Sequence, residues 1–339
     1  MKRKKVCYLV QSSEFNIGNA FIDIGAIRSI SNLVGEENLI LVSEFPLYRQ
    51  SMETVFKLST LFNPFWKVFG GYIRRKSLDK LYKMIKPGSV FSLMDIIKAD
   101  YFVISGCVLT VPFFRMMGEL LQRLRKKGTE IIFYGCGSNS YSRFEIDFVS
   151  RNLRQIQPLA IVTRDSIAFK HYGHLARYAF NGIDCAFFVN MLPLEKIELK
   201  ISNYVVLTFD QAKNRKIEKE LENNLSSRYK IIKLCHTPLP RGHFFASSPN
   251  KSDFVSTSPY DYLILYSHAI EVYADRVHAC IPSLSFGRRC AFYGEEFRTK
   301  LFEKVCSKHT IGGITYYYPR SLHKWQKEQL HFLSNVLEK

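Results

Sequence analysis

"YFVISGCVLTVPFFRMMGELLQRLRKKGTEIIFYGCG", residues 101–137, decides the fold. It opens on a short apolar run, "YFVISG" (101–106), that ends at serine and glycine. A helical pattern follows, "FRMMGELLQRLRKKG" (114–128), with basic residues in its last turn and Gly128 as its stop. A second apolar run, "EIIFYGCG" (130–137), closes the stretch. Strand, helix, strand is the unit from which parallel sheets covered by helices are built.

The unit recurs in both directions. Before it stand the strand "VCYLV" (6–10), the helix "NAFIDIGAIRSISNLV" (19–34) and the strand "NLILVS" (38–43). After it come the strand "LAIVTRD" (159–165) and the short helix "SIAFKHYG" (166–173). The pattern then restarts with "YVVLTFD" (204–210), a charged helix at 215–228, the strand "YKIIKLCHT" (229–237) and the helix "YDYLILYSHA" (260–269). Last comes "YADRVHACIPSLSFGRRCAFYG" (273–294): strand, corner, apolar helix, strand. The expectation is an α/β protein of two Rossmann-type halves with mostly parallel sheets, residues 1–190 and 200–320, joined near 187–202. A C-terminal amphipathic helix is expected at 321–339. Residues 46–94 break the alternation, and within them "FKLSTLFNPFWKVFGGYIRRK" (56–76) mixes aromatic and basic side chains.

The composition is that of a globular protein, 47% hydrophobic and 23% charged. The formal net charge of +18 (48 basic, 30 acidic) attracts anions: phosphorylated small molecules, nucleic acid or an anionic membrane surface. The eight cysteines show no C-x-x-C pair and no zinc-ligand spacing, so they read as small buried hydrophobes in a reduced compartment. The apolar run Val6 to Val10 is shorter than the roughly 7–15 residues of a signal-peptide core. No stretch approaches the roughly 18 apolar residues of a membrane span. The expectation is a cytoplasmic protein that touches a membrane at most peripherally.

Ligands of parallel α/β sheets bind at the carboxyl ends of strands, where helix N-termini offer free N–H groups. Four such turns carry candidates. The first is "SSEFNIGNA" (12–20), with Asn16, Gly18 and Asn19; it lacks both the G-K-S/T of a Walker loop and a G-x-G-x-x-G pattern. The second and third are Ser105-Gly106 and the loop with Gly135, Gly137 and Ser138, whose glycines and hydroxyls suit an anion or a sugar. The fourth is Arg164-Asp165, where the aspartate can cap the next helix or orient the arginine. The corner at 275–278 is richest: Asp275 stands where an N-cap would, with Arg276 and His278 in the first helical turn. An arginine there grips carboxylate or phosphate bidentately, and a histidine moves a proton near neutral pH. On spacing alone, each corner also reads as an ordinary cap with solvated neighbours. His171 and His174 have no third ligand nearby, so no metal site is expected, and nothing singles out Asp184 or Asp210.

Taken in order, these motifs resemble the polysaccharide pyruvyl transferase family. The resemblance runs through "NIGNAFIDIGAI" (16–27), "YFVISGCVL" (101–109), "IIFYGCGSNS" (131–140), "IVTRDSIAFKHYG" (161–173), "GIDCAFF" (182–188) and "EVYADRVHACIPSLSFGRRCAFYG" (271–294). It implies a GT-B-like fold with the site in a cleft between the halves. It also implies transfer of a pyruvyl group from phosphoenolpyruvate to a sugar of a cell-surface polysaccharide or glycan precursor, as a ketal, with no cofactor. Arg276 and Arg164 match the family's basic residues and His278 its histidine. The chain departs from the pattern at Cys107, where glycines are frequent, at Val277, where leucine is usual, and at Pro282 in the helix. Two rivals remain at this stage: a GT-B glycosyltransferase using a nucleotide sugar, and a non-enzymatic basic protein binding nucleic acid. No nucleic-acid-binding motif is recognisable. The 56–76 segment adds an expected contact with anionic membrane near a lipid-linked acceptor.

Overall fold

The computed structural model describes residues 4–11, 16–43, 93–138, 140–236, 256 and 258–338. The aromatic and basic segment 56–76 lies outside the described residues. Six strands form the first sheet, in the order β2-β1-β3-β4-β5-β6, every pair parallel. They are β1 Val6–Leu9, β2 Leu39–Val42, β3 Tyr101–Gly106, β4 Glu130–Cys136, β5 Ala160–Thr163 and β6 Tyr178–Asn181. Between them run α1 Ile17–Val34, α2 Val111–Lys126, α3 Arg143–Ile156 and α4 Ser166–Tyr172.

The second sheet has the order β11-β12-β10-β9-β7-β8. Its strands are β7 Tyr204–Thr208, β8 Lys230–Lys233, β9 Glu271–Ala274, β10 Arg289–Phe292, β11 Cys306–Ile311 and β12 Ile314–Pro319. The first four are parallel, and the hairpin β11–β12 is added antiparallel to β10. Its helices are α5 Arg215–Leu225, α6 Pro259–His268 and α7 Val277–Ser285, followed by α8 Leu322–Leu337.

The central strands β1, β3, β4, β5, β7 and β9 are buried on both faces, and their side chains alternate between two cores. In the first sheet Cys7, Leu9, Phe102, Ile104, Ile131, Phe133 and Ile161 face α2, α3 and α4. The intervening Val6, Tyr8, Tyr101, Val103, Ile132, Tyr134, Ala160 and Val162 face a central core. That central core continues without a break into Tyr204, Val206, Val272, Ala274 and Cys290 of the second sheet. The two halves therefore share one buried layer, filled by α1, α6, α7, α8 and a 3₁₀ segment, Cys185–Met191. Gly25 makes the layer thin enough: a Cβ there would lie 1.8 Å from the Cys185 carbonyl oxygen. The C-terminal helix returns to the first half, where Gln326 donates to the Phe187 carbonyl and Gln329 accepts from Ile183 N–H.

Helix α3 and the hairpin β11–β12, like strand β6, are elements that the sequence expectation lacked. Helix α3 was not expected, because Arg143, Glu145, Asp147, Arg151 and Arg154 dilute its apolar stripe of Val149, Leu153 and Ile156. Its Ser142 cap accepts from Glu145 N–H at 3.3 Å. Serine followed three residues later by glutamate is a capping-box signal that was present in the sequence. In the hairpin Gly312 and Gly313 take φ of 57° and 80°, as a tight turn with right-handed strand twist requires.

Candidate active site

The carboxyl ends of both sheets open into one cleft of about 530 Å³. Strands β3 and β5 bring Ser105, Gly106, Cys107 and Arg164 to it, and β9 brings Asp275 and Arg276. The starts of α1 and α7 add Asn16, Asn19 and His278. Gly18 sits where α1 meets α7: a Cβ there would lie 2.9 Å from His278 Cβ. Its role is therefore close packing beneath the cleft.

The first-half corner is built around a buried arginine. Arg164, 4% exposed, follows β5 and donates from Nη1 to Asp184 Oδ2 at 3.1 Å. Asp184 caps its own 3₁₀ segment by accepting from Ala186 N–H at 2.9 Å. Burial alone would raise the Asp184 carboxyl; the His278 ring, Arg164 and the Ala186 N–H outweigh it and hold it at about 2. His278 Nε2 lies 3.5 Å from the same Asp184 oxygen. Burial pushes the imidazole below its ordinary value against the pull of Asp184, so the ring is neutral at pH 7 and disposed to accept a proton. The Cys107 thiol beside Arg164 is pushed up by burial, partly offset by the guanidinium.

Asp165 makes its hydrogen bonds elsewhere. It caps α4 through Ala168 N–H at 2.8 Å and accepts from the Tyr141 hydroxyl at 2.7 Å. Gly137 clears space for the corner, since a Cβ there would fall 2.6 Å from Arg164 Nε. Ser138 donates to Glu145, and with Tyr141 and Asp165 it lines a small recess beside the cleft. Gly135, at φ 62°, packs on Cys185 and is not among the cleft-lining residues.

The second-half corner corrects the expected cap. Helix α7 begins at Val277, Arg276 occupies the N-cap position, and no side chain caps it. Asp275 instead braces the neighbouring loop, accepting from Asp210 N–H at 3.1 Å, Gln211 N–H at 2.9 Å and Asn214 Nδ2 at 3.1 Å. That loop carries Asp210, whose buried carboxylate takes Arg276 Nε at 2.7 Å. Asp210 also accepts from His236 N–H at 3.3 Å, and the His236 ring pairs with the Tyr266 hydroxyl at 2.6 Å. Burial drives His236 down to about 3, so it is a neutral support. Pro282 has no N–H, so the carbonyl of His278, four residues earlier, is released from the helical ladder.

Asp184 and Asp210, which nothing in the sequence distinguished, are thus the counter-ions of the two arginines. Arg298 also escaped notice. It sits on the 3₁₀ segment Glu296–Leu301 and lines both the cleft and the recess. Among the described residues its one ion pair is to Glu295 at 3.5 Å, and that pair is partly exposed. Gln11, Ile22, Asp23, Gln211, His236 and Glu295 complete the unexpected lining. The signal for Asp23 was a lone carboxylate in an apolar helix, and for Asp210 a carboxylate at a strand end.

Two α/β halves with a cleft at their strand ends define a GT-B-type protein, and a solved structure agrees. A Listeria monocytogenes protein assigned as a UDP-N-acetylglucosamine 2-epimerase matches with TM-score 0.51 at 9% identity, over 99% of this chain and 90% of its own. The UDP-GlcNAc 2-epimerase of Methanocaldococcus jannaschii, bound to UDP-GlcNAc and UDP, gives 0.49 at 14% identity over 99% and 93%. The Neisseria meningitidis UDP-GlcNAc 2-epimerase gives 0.48 at 12% over 85% and 82%. No curated protein matches the sequence. The chain belongs to the polysaccharide pyruvyl transferase family, whose sequence model matches residues 16–296. It is therefore a transferase of polysaccharide synthesis. No helix among the described residues is long and apolar enough to cross a membrane.

Proposed function

We infer that the cleft moves a pyruvyl group from phosphoenolpyruvate to two hydroxyls of a glycan sugar, forming a ketal and releasing phosphate. One observation carries the reading: Arg164 and Arg276, one from each half, are each steered by a buried carboxylate into the cleft that also holds His278. The donor carries phosphate and carboxylate, and paired guanidinium groups suit both. Arg298, the least engaged of the three arginines, adds charge on the side of the recess. The starts of α1 and α7 add backbone N–H groups and positive dipole ends.

Protonating the methylene carbon leaves a cationic C2. The first hydroxyl adds there, passing its proton to the neutral His278 ring. The C2–O bond to phosphate then breaks, and the second hydroxyl closes the ketal. Two hydroxyl protons leave the sugar; one ends on the new methyl group and one on phosphate, so the sum is balanced. Negative charge grows on the departing phosphate, where fixed arginines stabilise the transition state most.

A thermal-shift comparison tests the donor. Phosphoenolpyruvate should raise the melting temperature in a concentration-dependent way, because it binds only the folded state. UDP-N-acetylglucosamine should not. The reverse result would replace this reading with a nucleotide-sugar glycosyltransferase. Contact with anionic membrane through 56–76 belongs to the same proposal, since a lipid-linked acceptor would be met there. Sedimentation with anionic liposomes at low salt tests it, and absence of binding removes it.

A further inference from the structure

Helix α3 buries a stripe of Val149, Leu153 and Ile156. At helical spacing the residues across from that stripe include Arg143, Phe144, Arg151 and Arg154, and all four are exposed. Phe144 is 60% exposed and lies against Phe148, with ring centroids 6.2 Å apart. The guanidinium groups of Arg151 and, from α2, of Arg115 each lie 5.9 Å from the Phe148 centroid. An aromatic pair bracketed by arginines thus stands on the solvent side of the helix.

Between α3 and α4 the same surface opens into a hollow of about 420 Å³. Arg151 and Arg154 line it from α3, Lys170 and His171 from α4, and His174 from the 3₁₀ turn that follows. Asp147 is the single carboxylate among its lining residues. Among the described residues Arg151, Arg154 and Lys170 enter no ion pair. Arg154, Lys170 and His171 stand in the last turns of their helices, where a cation complements the dipole. That accounts for a cation at each helix end. It does not account for Arg151 joining them around a hollow, or for the exposed aromatic pair beside it. Like charges gathered without carboxylates repel one another, and an anion seated among them relieves that repulsion.

Cations beside an exposed aromatic ring match the boundary of a lipid bilayer: the ring enters the headgroup layer while the cations meet lipid phosphates. We propose that the outer face of α3, together with this hollow, docks on an anionic phospholipid surface. The hollow takes a headgroup phosphate and Phe144 enters the interface. This contact is separate from segment 56–76 and does not depend on the identity of the donor. The face begins two residues after Tyr141, which lines the recess beside the active-site cleft, so Phe144 stands at the end of the face nearest the cleft.

The test uses the full chain and sucrose-loaded vesicles of phosphatidylcholine, with and without phosphatidylglycerol, sedimented at low salt. Wild type is compared with Arg151→Ser/Arg154→Ser and with Phe144→Ser. Arg74→Ser/Arg75→Ser/Lys76→Ser is the control for 56–76, and every variant is checked for folding by circular dichroism. Wild type should sediment with the anionic vesicles and not with the neutral ones, and less as salt rises. Arg151→Ser/Arg154→Ser should weaken the partition about tenfold or more, since each cation near an anionic surface contributes. Phe144→Ser should weaken it several-fold. Phe144→Trp should give an emission that shifts to shorter wavelength on anionic vesicles and is quenched by brominated lipid, beyond the change given by the native Trp66 and Trp325. Unchanged partition of both α3 variants overturns the proposal. So does a loss confined to the 74–76 variant, which leaves the membrane contact at 56–76. Absence of sedimentation with any vesicle overturns it too, while the phosphoenolpyruvate thermal shift decides the donor separately. Binding of a single-stranded oligonucleotide that requires Arg151 and Arg154, without vesicle binding, would hand the face to nucleic acid and overturn it.

Discussion

Arg164-Asp165 and Asp275-Arg276 are two strand-to-helix corners with the same residues in opposite order. In both, the arginine is held by a carboxylate from a neighbouring segment: Asp184 at 3.1 Å in one, Asp210 at 2.7 Å in the other. What differs is the aspartate beside it. Asp165 follows its arginine, falls one step before the helix and caps it. Asp275 precedes its arginine, misses the cap position and braces the loop that carries the counter-ion. A shift of one residue turns a helix cap into a support for the site. The arginines differ too, since Arg164 is buried and Arg276 is a third exposed.

That contrast predicts unequal costs. Arg164→Ala strands the buried Asp184 and should destabilise the fold by about 3–5 kcal/mol in urea unfolding. Arg276→Ala also leaves a buried carboxylate, Asp210, but it removes a guanidinium that is a third exposed and whose place water can take, so it should cost about 1–2 kcal/mol. Equal costs would break the distinction between a buried and an open corner. Next in size, Asp275→Ala leaves two loop N–H groups and Asn214 without their acceptor and should cost about 3 kcal/mol. Asp165→Ala loses a cap and a tyrosine partner and should cost about 1–2 kcal/mol. The reverse order would mean that Asp275 does not brace the loop.

Much of this corner chemistry was legible in advance, and the remainder was hidden for a physical reason. The strands and most helices follow from apolar runs and their stops, because a strand buried on both faces reads as a continuous apolar run. Arg164, Arg276 and His278 stand at strand ends, where position along the chain implies position in the sheet. Asp184 and Asp210 become meaningful only when β5 and β9 lie beside the segments that carry them, and adjacency across a sheet is not written locally. Arg298 is further still, on a short 3₁₀ segment with no strand of its own to place it. The mistaken cap at Asp275 came from the same limit: a helix start is uncertain by a residue or two, and here one residue changes the role.

A further expected effect, on the pH profile, concerns the support under the second corner. His236 is neutral when folded, at about 3, against 6.5 for the free side chain. The unfolded chain therefore binds more protons below pH 6.5, and stability falls as pH drops from there toward 3. Between pH 7 and pH 5 the loss from this residue should be about 2 kcal/mol. His236→Gln should flatten that part of the profile. An unchanged slope would remove His236 from the account.

The most direct test is a calorimetric titration of phosphoenolpyruvate into wild type, Arg276→Ala and His278→Ala. The account predicts binding by wild type, loss in Arg276→Ala with the fold intact, and near-normal binding in His278→Ala, whose ring moves a proton but does not grip the donor. Undiminished binding by Arg276→Ala, or no heat at all from folded wild type, would contradict it.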